Sequence, residues 1–491
     1  MKKSTTDNII HAIQYYKEEL TFIRHHRRRS KVLNKISELQ RYCLPDEAVR
    51  SAEHSYSYAQ ETHDPRTIGA SILAMGECLL WHGEVEEASH LALEAEKQFE
   101  KIDHAPGFDD LQLYKWSIGI LNGSYRDILQ AYEPFWDKWI ADNQLEKAQR
   151  LAATVAQAYY YTGEYHLSIE YMGSAIQLSR QLGHSWQIGS ALVLLGMATI
   201  ACGKGPLGLA QLVKAYEHSN SISDNVGECL SLLAMSIYNA TSKNTPEAHA
   251  KLSRAKYLAA NLGYKSIAAE CAFAEAVAAR YSAPGEEAIR LAVIAHNSAI
   301  TSNEVFKILQ SLQLLGIIYV ENGNNTQATN YFKQALELAE RHHSIDYQQQ
   351  LLQRLAVLCE VSGEPERAND LYRKYIGIAS TYHQSILAVD DLALSQPRPM
   401  LSSSPEVQLE PSASDSIQLV RSIMNQYPML TTSEAKVYSM VFEQYSNKEI
   451  AEKLSLSIRT VENHRYHIRR KLGVKSGSKK IELPVNINKY L

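Results

Sequence analysis

The feature that most constrains this chain is a forty-residue period that runs through most of its length. Starting at Gly83 and stepping by forty, six of eight positions are glycine. Five residues further on, seven of the eight positions hold alanine, serine or glycine. A fixed period of this length indicates a solenoid of repeated supersecondary units. The eight positions are Gly83, Gly123, Gly163, Gly203, Lys243, Ala283, Gly323 and Gly363.

One unit shows what the period encodes. The stretch LQLLGIIYVENGNNTQATNYFKQALELAERH has apolar residues at i, i+3, i+4 and i+7 on both sides of a central turn. This spacing predicts two amphipathic helices. Gly323 can adopt the left-handed backbone that ends the first helix. Small residues at 316, 328 and 335 allow the helices to cross closely, and aromatics at 319 and 332 fill the remaining space.

This unit resembles the tetratricopeptide repeat. The resemblance rests on Leu315, Gly316, Tyr319, Gly323, Ala328, Phe332 and Ala335. It implies an all-α fold, a tetratricopeptide-like superhelix of about nine units over residues 30–385. Such a superhelix has a concave face that binds a protein or a small molecule. Residues 1–29 are expected to form one preceding helix that caps the stack, with the basic run 25–29 at its C-terminal end.

The motifs that could indicate an enzyme or a metal site have simpler interpretations. The GxGxxG at 203–208 follows no predicted strand, and it coincides with the turn of a repeat, so it is interpreted as a helix-to-helix turn. His342 and His343 have no second pair of possible metal ligands at a suitable spacing. The six cysteines are far apart and are expected to be buried, reduced thiols. We therefore expect neither catalysis, nor a cofactor, nor a metal.

Charge and composition separate the C-terminal part from the repeats. Residues 386–416 are rich in proline and serine and are expected to be a flexible linker. Residues 417–491 contain thirteen Lys and Arg against six acids, whereas the whole chain has a net charge of −4. A basic tail on an acidic body is expected when only the tail meets a polyanion. No apolar stretch is long enough to span a membrane, and a cytoplasmic location is expected.

The basic tail has the pattern of a helix-turn-helix. Capping boxes at 431–434 and 446–449 open two short helices, and Ser457 can cap a third, basic helix. An apolar stripe gives the module its expected core. The opposite face of the last helix carries Arg459, Asn463, Tyr466 and Arg470. The predicted scaffold residues are Ile450, Ala451, Leu454, Val461, Ile468 and Leu472.

Residues 430–474 resemble the DNA-binding domain of the LuxR/GerE (FixJ/NarL-type) bacterial regulators, through SNKEIA, TVENH and KLGV. The resemblance implies that Glu462, Asn463 and Tyr466 face bases in the major groove. It also implies that another set binds phosphates or orients the helix: Lys448, Arg459, Thr460, His464 and Arg470. Gly477 and Pro484 depart from the family's fourth helix, so the pairing of two such domains is left open.

Together these features predict a DNA-binding transcriptional regulator, with residues 417–491 on double-stranded DNA as a homodimer. The repeats would hold an unknown protein or small-molecule ligand, or set the oligomeric state. The alternative is a repeat adaptor whose basic tail docks a protein. Glu462 has two interpretations: a carboxylate that accepts from cytosine N4, or an acid that is favourable in the first turn of a helix.

Overall fold

The computed structural model describes residues 8–102, 104–283 and 285–379, together with Val437 and Ile450. Within these residues the regular structure is helical and contains no strand. After the first helix the chain forms nine consecutive helix pairs, the last of which is described as far as residue 379. The helical-repeat architecture that the period predicts is confirmed.

The helices have the following bounds. A single helix, α1 (Ile9–Phe22), precedes the pairs. The first helices of the pairs are α2 (His26–Gln40), α4 (Pro65–His82), α6 (Ala105–Asn122), α9 (Leu145–Thr162), α11 (Ile188–Ala201), α13 (Asn225–Thr241), α15 (Lys265–Ser282), α17 (Val305–Glu321) and α19 (Ile345–Val361). The second helices are α3 (Pro45–Gln60), α5 (Val85–Glu100), α7 (Tyr125–Ala131) with α8 (Glu133–Ala141), α10 (Tyr165–Leu182), α12 (Gly205–Ile222), α14 (Thr245–Leu262), α16 (Gly285–Ser302), α18 (Asn325–Arg341) and α20 (365–379). A 3₁₀ turn, Ser185–Gln187, precedes α11.

The turn inside each pair follows the glycine period. All six period glycines have φ between 75° and 97°. At Lys243 the backbone keeps the left-handed conformation without a glycine, at φ 61°. At Ala283 it does not, because α15 ends there in an extended residue with φ −116°. The left-handed turn predicted for Gly323 is therefore confirmed, at φ 75°.

Small residues at the predicted crossing positions bring the two helices of a pair together. Ala328 and Ala335 are fully buried between α17 and α18. At Gly316 an added Cβ would collide with the ring of Phe332, which is itself 1% exposed. Tyr319 stacks on Tyr331 with ring centroids 5.5 Å apart. Close packing at these points explains why the small and aromatic positions recur.

The N-terminal segment differs from the single helix that was expected. The chain breaks at Ile23, which is extended at ψ 124° and is 7% exposed. A new helix, α2, begins at His26. The basic run therefore lies at the N-terminal end of α2 rather than at a C-terminal end. There Arg28 pairs with Glu19 at 2.7 Å, and the Arg29 guanidinium lies over the Tyr58 ring at 4.7 Å.

The glycine motif at 203–208 is a turn between helices, as predicted. Gly203 has φ 78°, and Lys204 precedes the first residue of α12. Gly208 lies against Gly196 and Ile200 of α11, where a Cβ would lie 2.6 Å from the Gly196 carbonyl oxygen. The prediction for the cysteines needs one correction: five are buried, but Cys202 in this turn is exposed.

Units about five repeats apart also touch, along a line that we call the seam. Its hydrogen-bonded and ion-paired partners are separated by 181 to 223 residues. These distances correspond to about four and a half to five and a half units, so one turn of the superhelix meets the next directly. The seam contacts join Asn8 to Ser223, Arg41 to Tyr264, Tyr42 to Val226, Glu84 to Lys265, Gly123 to His342 and Tyr165 to Asp346.

Candidate functional sites

The predicted DNA-reading residues lie outside the described part of the chain. One member of the predicted scaffold, Ile450, is described: it is helical and 0% exposed. Val437 is likewise helical and 0% exposed. The remaining predicted residues outside the described ranges are Lys448, Ala451, Leu454, Arg459, Thr460, Val461, Glu462, Asn463, His464, Tyr466, Ile468, Arg470 and Leu472.

The described repeats contain a charged network that links three first helices. Glu77 of α4 accepts from Arg41 of α2 at 2.9 Å and from Arg150 of α9 at 2.5 Å. Burial alone would raise the pKa of Glu77, but Arg150 and Arg41 outweigh it and lower the pKa. The carboxylate therefore stays ionised while it bridges two guanidinium groups. This network was not predicted from the sequence, because its members are dispersed over more than a hundred residues.

A second charged group lies on the later units. Lys307 of α17 pairs with Glu304 at 2.8 Å and donates to the Ser266 hydroxyl at 2.5 Å. Glu270 of α15 lies near this pair, and burial raises its pKa against the opposing effect of Lys307. The cavity that Glu270 and Lys307 line is too narrow for a water molecule.

Three consecutive tyrosines near the end of α9, Tyr159, Tyr160 and Tyr161, pack against other rings rather than line an open groove. Tyr160 is 9% exposed. Tyr161 lies 4.3 Å from Phe306 between ring centroids, and Phe306 also meets Tyr347 at 5.5 Å. These rings therefore contribute to packing between units. The sequence did not reveal that the partner of Tyr160 and Tyr161 is Phe306, on a helix almost four units later.

Metal-binding clusters and membrane-spanning helices are absent from the described ranges. No cluster of three or more His, Cys, Asp or Glu side chains is arranged to hold a metal ion among those residues. No helix in the same ranges is long and apolar enough to cross a membrane.

Two family models match the chain. Residues 428–483 match the model for bacterial regulatory proteins of the luxR family. Residues 309–342, which include α18 and most of α17, match the tetratricopeptide repeat model. The first match covers the predicted helix-turn-helix. The second covers the unit around Gly323, whose sequence pattern resembles the tetratricopeptide repeat.

Curated relatives match a short part of the chain. The oxygen regulatory protein NreC of Staphylococcus aureus strain JH9 is 39% identical over 69 residues, which is 14% of this chain and 32% of NreC. The same protein from strain NCTC 8325 matches equally. The chain thus spans about a third of the length of these relatives.

Solved structures resemble the chain at low identity. A Rap protein complexed with competence and sporulation factor has a TM-score of 0.42 at 14% identity, over 65% of this chain and 99% of Rap. NprR in complex with its cognate peptide NprX has a TM-score of 0.39 at 14% identity, over 82% of this chain and 98% of NprR. Human IFIT1 has a TM-score of 0.44 at 15% identity, over 80% of this chain and 86% of IFIT1.

The domain organisation of the chain follows consistently from the sequence pattern, the helix pairs and the two family matches. A body of tetratricopeptide-like repeats precedes a C-terminal segment that matches the model of the luxR family of bacterial regulatory proteins.

Proposed function

We propose that this protein is a bacterial transcriptional regulator that binds promoter DNA through residues 417–491. The match of residues 428–483 to the luxR family carries the proposal. The charge of the same segment supports it. Thirteen cations against six acids give the tail a net charge of +7, on a chain whose total is −4. Such a segment gains binding free energy by displacing counterions from DNA.

Within the segment we assign two roles to side chains. Glu462, Asn463 and Tyr466 face base edges in the major groove, where side-chain hydrogen bonds discriminate between base pairs. The second set positions the helix on the backbone, which fixes register without reading sequence. It consists of Lys448, Arg459, Thr460, His464 and Arg470.

The assignment is tested with the purified full chain and a library of genomic fragments. The wild type should enrich a small set of fragments. The Asn463→Ala/Arg470→Ala variant should lose that enrichment but keep weak, salt-sensitive binding. The control variant is Asn488→Ala/Lys489→Ala, which also removes one asparagine and one positive charge but lies beyond the matched segment. It should bind DNA as the wild type does. Equal binding of the wild type to every fragment would contradict the proposal.

We also propose that the repeats are the regulatory module, which binds a protein or a small molecule and acts on the DNA-binding segment through pairing or access. Two copies on one site would make the regulator a homodimer. The nine consecutive helix pairs support a dedicated binding body, because stacked repeats present extended surfaces. If removal of residues 1–394 leaves promoter affinity and promoter activity unchanged, the repeats have no such role.

A further inference from the structure

A patch of positive charge lies where the chain passes from α1 to α2. We call it the cationic patch, and it consists of four exposed side chains, those of Arg24, Arg27, Arg28 and Lys31. Residues 20–37 contain six Lys and Arg and no Asp or Glu, although residues 1–385 together have a net charge of −7. The cationic patch is therefore a local concentration of positive charge on an acidic body.

The position of the cationic patch on its helix does not suit a purely structural role. Helix α2 has no acid in its first turn, and its N-cap residue, His25, makes no side-chain hydrogen bond to the backbone. The free N–H groups give this end of a helix a partial positive charge, which favours anions and disfavours cations. Arg27 and Lys31 are also one turn apart, and like charges at this spacing destabilise a helix. Since the fold does not benefit from these charges, a role in binding an anion is favoured.

Most of this charge is available at the surface. Arg28 pairs with Glu19 at 2.7 Å, and Arg27 lies 3.8 Å from a carboxylate oxygen of Asp64. The two arginine side chains are nevertheless 66% and 68% exposed. The other two members of the patch form no ion pair with an acid of the described ranges. All four cations can therefore meet an anionic partner without a rearrangement of the repeats.

The phosphate backbone of DNA fits this surface better than a membrane does. Each exposed cation that meets a phosphate releases a condensed counterion and so strengthens binding, and this requires no apolar contact. A helix that binds to a membrane surface needs an apolar face beside its cations. The last turn of α1, next to the cationic patch, exposes one large apolar side chain, Phe22. Charge rather than apolar area therefore dominates this surface.

We propose that the cationic patch binds the DNA backbone beside the site that the C-terminal segment occupies. The inference rests on the DNA-binding function proposed above. A flexible chain as long as the segment 386–416 spans about 30 Å on average, which is the length of roughly nine base pairs. Contacts with the backbone fix the position of a protein on the duplex without reading bases. The patch thus adds affinity that does not depend on sequence and holds the repeats beside the promoter site.

The test compares the full chain with the variant Arg24→Gln/Arg27→Gln/Lys31→Gln, which keeps the Arg28–Glu19 pair. Binding to a long duplex of arbitrary sequence is measured over a range of salt concentrations. The slope of log affinity against log salt should become shallower by roughly two to three, since about 0.9 is lost with each phosphate contact. At low salt the affinity of the variant should be roughly tenfold lower.

A matched control removes three positive charges elsewhere. It is Lys214→Gln/Lys333→Gln/Lys374→Gln, at exposed positions on α12, α18 and α20, and it should keep the wild-type slope. Thermal unfolding of the same preparations should show no lower midpoint for the patch variant, because cations at the positive end of a helix do not stabilise it.

Three results would overturn the proposal. The first is an equal salt slope in the wild type and the patch variant, and the second is an equal loss of slope in the control. The third is a lower thermal midpoint in the patch variant, which would assign the cations to folding. Binding to vesicles of anionic phospholipid that Phe22→Ala abolishes, with no change in the DNA slope, would make the surface a membrane contact and would also overturn it.

The same comparison in an Asn463→Ala/Arg470→Ala background separates the cationic patch from sequence reading. A shallower slope on removal of the patch cations is expected there too. A wild type that enriches no genomic fragment contradicts the proposed function and leaves this result standing. An unchanged slope beside normal enrichment contradicts the present inference alone.

Discussion

The Tyr264 hydroxyl donates a hydrogen bond of 2.7 Å to the carbonyl oxygen of Arg41, a residue 223 positions earlier in the chain. The tyrosine is 2% exposed, and its ring meets that of Trp81 at 5.6 Å between centroids. The bond therefore joins two units that are distant in sequence inside a shielded aromatic contact.

Tyr264→Phe should lower the free energy of unfolding by about 1 kcal/mol, because it removes a buried hydrogen bond and leaves the ring in place. Urea denaturation followed by circular dichroism measures the change. Tyr257→Phe, at the exposed tyrosine, should leave the midpoint unchanged. Equal midpoints for Tyr264→Phe and the wild type would show that the contact adds nothing to stability.

Lys243 occupies a turn position where six other units have glycine, and it holds a left-handed backbone at φ 61°. A non-glycine residue in this conformation costs on the order of 1 kcal/mol. Lys243→Gly should therefore raise the thermal midpoint of unfolding. Gly323→Ala is the converse variant and should lower the thermal midpoint. A Cβ there meets no atom within 4 Å, so only the backbone strain at φ 75° acts. A lower midpoint for Lys243→Gly would contradict this view of the turn.

Asp224 caps α13 from a fully buried position and should make stability depend on pH. Burial raises the pKa of its carboxyl to about 7, against hydrogen bonds from Gly227 and Ser219. Glu228, Tyr42 and Cys43 face the same carboxyl.

The sign of this dependence follows from the raised pKa. The unfolded chain ionises Asp224 near pH 4, whereas the folded chain retains the proton until about pH 7. The stability contributed by the neutral carboxyl is therefore present below about pH 4 and is lost as the pH rises to about 7. Asp224→Asn keeps the cap, so its stability advantage over the wild type should grow across this range and level off above it. A pH-independent difference in thermal midpoint would refute the assignment.

Glu462→Lys distinguishes the two roles considered for the acid of the basic helix. If the carboxylate reads cytosine, the lysine variant should bind non-specific DNA more tightly and accept a broader set of sites. If Glu462 only stabilises the first turn of its helix, the variant should lose stability with no change in site choice. Fragment enrichment and thermal unfolding of the same preparation separate these outcomes.

Features that repeat in sequence were predictable. The period predicts the helix pairs, the left-handed turn at Gly323 and the close helix crossing at the small residues beside Phe332. Each of these features depends on neighbours within one unit. The break at Ile23 was missed, since both flanking segments are helical in pattern and the break depends on burial of that side chain. The position of Cys202 was missed because the turn exposes it.

The seam could not be predicted, because it depends on small rotations between units that add up over about five repeats. Tyr264, His342 and Asp346 have no feature in sequence that marks them as partners of residues some two hundred positions away. The DNA-binding residues that are predicted for the tail are the opposite case. They follow from a short family pattern, and Asn463 and Arg470 remain predictions.

The ratio of affinities for an enriched fragment and for a shuffled fragment of the same composition tests the DNA-reading role most directly. It should be measured for the full chain at one fixed salt concentration, for the wild type and for Asn463→Ala. A reading surface predicts a wild-type ratio of roughly a thousand or more and a drop of about tenfold in the variant, at nearly unchanged affinity for the shuffled fragment. A wild-type ratio close to one would contradict the claim that this protein reads DNA sequence.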